Sequence, residues 1–119
     1  MRFMTLVKSR EGQQPPPALY QAIAELGQQA GKKMIWTGGL TNTKDGALLR
    51  LEGGKVRVTD GPFSEAKEVI GGFAVYEVDS KEEALEWCRR FLDVHKKHWP
   101  DWTGEVELRQ IFEAMPFRT

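Results

Sequence analysis

Two stretches of this chain each carry a single apolar stripe at helical spacing, and a helix striped on one side must lay that side against something. In the first, Leu19, Ala22, Ile23, Leu26 and Ala30 recur at three- and four-residue steps while Gln21, Glu25, Gln28 and Gln29 cover the opposite side. In the second, Ala84, Leu85, Cys88, Phe91 and Leu92 form the stripe. Arg89, Arg90, Lys96 and Lys97 gather towards its C-terminal half, where positive charge suits the helix dipole. Pro17 fits the opening turn of the first helix, because its missing N–H would have had no partner there, and Gly31 is placed to end it. Ser80, with Glu83 three residues later, predicts a capping box for the second helix, and Pro100 enforces its end.

The remaining periodic segments read as strands. Residues 3–7 form a short apolar run suited to a central strand. Met34-Ile35-Trp36-Thr37 predicts a second strand, stopped by Gly38-Gly39, where absent side chains fit a bulge or the close approach of a ligand or another chain. Segments 47–51 and 55–59 flank Glu52-Gly53-Gly54 and predict a β-hairpin closed by a glycine turn. Residues 73–78 form another apolar run, and residues 104–112 alternate apolar and polar at period two. Both helices can cover one face of a single sheet, which leaves the other face in need of a partner. The order therefore predicts an α+β fold, a ferredoxin-like sandwich with an inserted β-hairpin, paired as a homodimer.

Length and charge narrow the function classes. A chain of 119 residues reads as one domain spanning 1–119, too short for a cofactor domain plus a substrate domain. Seventeen basic residues balance seventeen acidic ones, so the attraction that dominates binding to nucleic acid or an anionic membrane is lacking, and neither partner is expected. The opening Met1-Arg2-Phe3-Met4-Thr5-Leu6-Val7 is too short for a secretory signal, and the expected location is the cytoplasm. One cysteine, Cys88, excludes an intramolecular disulfide and reads as a small core residue.

Charge and backbone constraint concentrate in Thr59-Asp60-Gly61-Pro62-Phe63-Ser64-Glu65-Ala66-Lys67-Glu68, between two strand segments. Asp60 at a turn accepts hydrogen bonds from nearby backbone N–H groups while Gly-Pro fixes the bend. A carboxylate at a strand end facing a half-apolar pocket also suits a general base, and Asp60 is the candidate catalytic residue. Glu65 and Lys67 are candidate ligand-binding groups, Lys67 for an anionic substrate group, and Phe63, Trp36 and Tyr20 are candidate pocket walls. A His95-x-x-His98 pair with one nearby carboxylate, Asp101, beside an expected helix end is weak evidence for the convergent, supported ligands that zinc requires, and the histidines read as cations at a helix C-terminus. No glycine loop cradles a phosphate, so neither metal nor cofactor is expected.

Asp60-Gly61-Pro62-Phe63, followed by Glu65, Lys67-Glu68 and Gly71-Gly72-Phe73, resembles the signature of the DGPF group of YCII-related proteins. The resemblance extends to Ala30-Gly31, Gly39-Leu40, Glu83-Ala84-Leu85-Glu86-Trp87 and Val106-Glu107-Leu108-Arg109. It implies a dimeric α/β-barrel assembly of ferredoxin-like subunits with a pocket on the sheet face near the dimer interface. In the wider family a histidine and an aspartate have been proposed as a catalytic pair. Asp60 matches the aspartate in kind, but the only histidines here are His95 and His98, and none lies upstream. The expected function is small-molecule binding in a dimer-associated pocket, with acid/base or lyase-type chemistry at Asp60. The alternative is a non-catalytic accessory or regulatory module that binds a protein partner or senses a metabolite.

Overall fold

The computed structural model describes residues 1–63 and 67–112. Its elements are β1 (Arg2–Ser9), α1 (Pro17–Ala30), β2 (Met34–Gly39), β3 (Ala47–Glu52), β4 (Lys55–Asp60), β5 (Val69–Glu77), α2 (Lys81–His98) and β6 (Gly104–Ile111). Four strands form one antiparallel sheet in the order β2-β5-β1-β6, and β3 pairs only with β4 in a separate two-stranded sheet. With that pair set aside, the connectivity is β-α-β-β-α-β with β1 and β5 at the centre, which is compatible with a ferredoxin-like arrangement.

Register decides which side chains face the helices. Phe3 lies opposite Tyr76 and Thr5 opposite Ala74, and all four are buried beneath α1 and α2. Leu26 and Ala30 of α1, Ala84 and Trp87 of α2, and Val78 complete this core, with the Tyr76 and Trp87 rings stacked 6.0 Å apart. Fully burying one large apolar side chain contributes roughly 1.5–3 kcal/mol. A helix cap contributes about 1 kcal/mol, so the apolar stripes set how the helices lie and the caps trim their ends.

Both caps follow the sequence closely. Gly31 ends α1 at φ 55°, a conformation that costs glycine little. Ser80 Oγ accepts from the Glu83 N–H at 3.1 Å, while Glu83 Oε2 accepts from the Asp79 N–H, one residue upstream of a standard capping box.

Three sequence expectations need correction. β2 does not stop at Gly38-Gly39 but runs through both glycines, and its irregularity falls between Met34 and Trp36. Gly38 serves close approach instead: a Cβ there would sit 3.1 Å from the Phe73 ring of the neighbouring strand. β5 begins at Val69 rather than Phe73, and skips one residue of register at Gly71, opposite the step from Val7 to Lys8.

The sheet face away from the helices carries Met4, Leu6, Phe73, Val75 and Trp36, flanked by the Lys8–Glu107 ion pair at 2.6 Å. Trp36 meets Phe73 edge-on at 4.8 Å yet remains 64% exposed. No helix among the described residues is long and apolar enough to cross a membrane.

Candidate functional site between the helices and the sheet

A cavity of about 730 Å³ lies between the helix layer and the sheet. Ile23 and Leu26 of α1, Phe91 and His95 of α2, and Val7 and Ala74 of the sheet form part of its wall. Gln13, Tyr20 and Asn42 also line it, and Tyr20 is exposed, which places the opening beside the start of α1. Pockets that hold small molecules typically occupy about 300–1,000 Å³, mostly apolar with a few polar groups.

His95 is the least expected of those polar groups. It is buried, packed between Phe91 at 4.5 Å and Trp102 at 4.4 Å between ring centroids. Its Nδ1 lies 2.9 Å from the Phe91 carbonyl oxygen. A carbonyl only accepts, so Nδ1 carries the proton and Nε2 is the acceptor, with no hydrogen-bond partner among the described residues. Burial pushes the imidazole pKa below its ordinary value, and the bond to the Phe91 carbonyl opposes this only in part. The reading of His95 as a cation at the helix end is therefore corrected: desolvation of the charged ring outweighs a surface dipole term of about 0.3–1 kcal/mol. The signal was present in the sequence, since His95 continues the stripe of Ala84, Cys88 and Phe91 at a further four-residue step.

Two further titratable groups along the wall are also neutral, while Arg10 and Glu11 bring charged side chains to its exposed border. Burial pushes the Tyr76 phenol up to about 12 and raises the Cys88 thiol, so both keep their protons near pH 7. Thr5 Oγ1 donates to the Ala74 carbonyl at 3.3 Å. Gln13 Oε1 is buried without a hydrogen-bond partner.

The residues singled out in the sequence do not converge on this cavity. Tyr20 lines it, whereas Trp36 stands on the opposite side of the sheet. Asp60 is the exposed last residue of β4, opposite Ala47, and does not line the cavity. Phe63 is partly buried and packs near Gly46, where an added Cβ would meet its ring at 3.5 Å. Lys67 is exposed, and Glu65 lies outside the described residues.

The Asp-Gly-Pro turn nevertheless connects to the cavity wall through the backbone. Gly61 N–H donates to the Gly46 carbonyl at 2.9 Å. Thr43, close to Gly61, donates from its N–H to Glu11 Oε2 at 3.0 Å and from Oγ1 to Glu11 Oε1 at 2.6 Å. Glu11 and Asn42 both line the cavity, so this turn fixes a segment of its border.

No group of three or more histidine, cysteine or acidic side chains among the described residues could hold a metal ion. The arrangement is thus an antiparallel α+β sandwich with an aromatic-walled cavity between its layers. The chain belongs to the YCII-related domain family, whose model matches residues 1–114. It is also 35% identical over 72 residues to an uncharacterized protein of Rhizobium meliloti (strain 1021), a match covering 60% of this chain and 54% of that protein. The matched region thus spans about half the length of that relative.

Proposed function

We propose that this YCII-related protein binds a small molecule in the cavity between its helices and sheet, and that its Asp60-Gly61-Pro62-Phe63 motif places it in the family's DGPF group. The observation that carries the reading is the cavity itself, about 730 Å³ with aromatic and mostly apolar walls. A ligand that prefers the folded state must raise its stability, so a thermal-shift screen against a metabolite panel is the direct test. A compound that raises Tm in the wild type and fails to do so in Ile23→Trp, which narrows the cavity, supports the reading. If no compound stabilises the protein, or if Ile23→Trp binds equally well, the cavity is not the site.

A second reading concerns Asp60 and a homodimer. Asp60 closes one face of the β3–β4 hairpin, whose other pairs, Leu49 with Val58 and Leu51 with Val56, are all apolar and 63–73% exposed. Contiguous exposed apolar surface is uncommon on monomers and marks sites of association. A second copy covering this ladder and the open sheet face around Trp36 would enclose Asp60 beside apolar side chains, a setting that suits general-base or lyase-type chemistry. Asp60→Asn should then abolish turnover of any cavity ligand in a well-folded dimer, and unchanged turnover would exclude the role. An accessory or regulatory module that senses the ligand would show binding without turnover.

A further inference from the structure

We infer that the cavity selects a neutral, hydroxyl-bearing aromatic molecule, whose O–H donates to His95 Nε2. This rests on the cavity reading and assigns it a ligand class.

The argument begins with the tautomer. The Phe91 carbonyl claims the proton-bearing Nδ1 of His95, which leaves Nε2 with a lone pair and no partner among the described residues. The ring lines the cavity, so a bound molecule can reach it. The buried, unpartnered oxygen of Gln13 is a second acceptor on the same lining. Two acceptors that lack a donor among the described residues call for a ligand that brings one, and leaving the buried Gln13 Oε1 unmatched costs more than a matched pair gains. A ligand carrying only acceptors would set lone pair against lone pair.

Charge and shape narrow the class. A carboxylate at His95 would set its lone pairs against that of Nε2, and the charged side chains on the lining, Arg10 and Glu11, are exposed beyond the end of β1. The walls near His95 are aromatic: Phe91, Trp99 and Trp102 all line the cavity, with the Trp99 and Trp102 rings 6.4 Å apart. Such walls favour a flat ring by offset or edge-on packing. Phenols and naphthols combine the flat apolar body with one neutral donor.

Isothermal titration of the full chain at pH 7.5 with 2-naphthol and with 2-methoxynaphthalene tests the donor, because the two share the ring and the oxygen and differ in whether that oxygen carries a proton or a methyl group. The expected result is about three- to ten-fold tighter binding of 2-naphthol, the worth of one net hydrogen bond. In His95→Phe that preference should vanish while 2-methoxynaphthalene still binds. Nitrogen NMR of the wild type gives a readout independent of any variant: the His95 Nε2 resonance should shift with 2-naphthol and stay in place with 2-methoxynaphthalene. Equal affinity for the two compounds, or an unmoved Nε2 resonance, overturns the donor inference and leaves the cavity reading intact. Failure of both compounds to bind overturns the inference, while the metabolite screen decides the cavity reading separately.

Discussion

Gly61 lies so close to Thr43 that a Cβ added to it would sit 1.6 Å from the Thr43 carbonyl oxygen and 2.8 Å from the Lys44 Cα. Both obstacles are backbone, which cannot rotate away as a side chain can. The glycine of the Asp-Gly-Pro motif is therefore required by packing before any chemistry is considered. Gly61→Ala should destabilise the protein by about 2–4 kcal/mol, the range of severe overpacking. Gly71→Ala, where nothing lies within 4 Å, should stay within about 0.5 kcal/mol. Urea denaturation of both variants checks the contrast.

His95 makes stability depend on pH. Its folded pKa is depressed by burial, so below the ordinary value of 6.5 the unfolded chain takes up a proton that the native state resists. The His95 contribution is thus complete above pH 6.5 and is lost as pH falls from there through the folded pKa. The slope due to this one site cannot exceed about 1.4 kcal/mol per pH unit. Chemical denaturation between pH 5 and 8 should show this loss, and His95→Gln should remove that part of the slope.

The Ser80 cap of α2 offers a smaller, local test. Its hydroxyl accepts from the Glu83 N–H, and Glu83 is also paired with Lys33 at 2.5 Å. Ser80→Ala should cost about 1 kcal/mol. The Glu83–Lys33 pair is partly solvated and should contribute less, so Lys33→Ala should cost under about 1 kcal/mol. Thermal unfolding of the two variants ranks them.

Leu51 is 73% exposed on the hairpin and buries little within its own subunit. Leu51→Lys should leave subunit stability within about 0.5 kcal/mol and weaken self-association. Sedimentation velocity across a concentration series checks it, and an association unaffected by both Leu51→Lys and Trp36→Glu would exclude these surfaces as the interface.

Local signals in this sequence were good guides to elements, and weaker guides to where those elements place chemistry. The α1 stripe, the Ser80 cap and the hairpin all follow from nearest-neighbour physics: spacing, capping hydroxyls, and two glycines at φ 58° and 77° that suit a tight turn. Gly38 misled because a glycine's purpose is set by what approaches it, and Phe73 comes from a different strand. The cavity was invisible for the same reason. Tyr20 and Trp36 are both aromatic and sixteen residues apart, but only the register of β2 on β5 shows that Trp36 faces away from the helices. His95 was hidden by its neighbours, since Lys96, Lys97 and His98 make the helix end look uniformly cationic.

The hydrogen bond from Gly61 to Gly46 joins the two feet of the hairpin, and every residue of β3 and β4 between those feet is exposed. The hairpin is consequently an appendage that the main sheet can do without. Excising residues 47–60 and joining the feet through a short turn should leave the four-stranded sheet and its cavity folded. Changes confined to the hairpin should therefore leave the cavity between helices and sheet undisturbed.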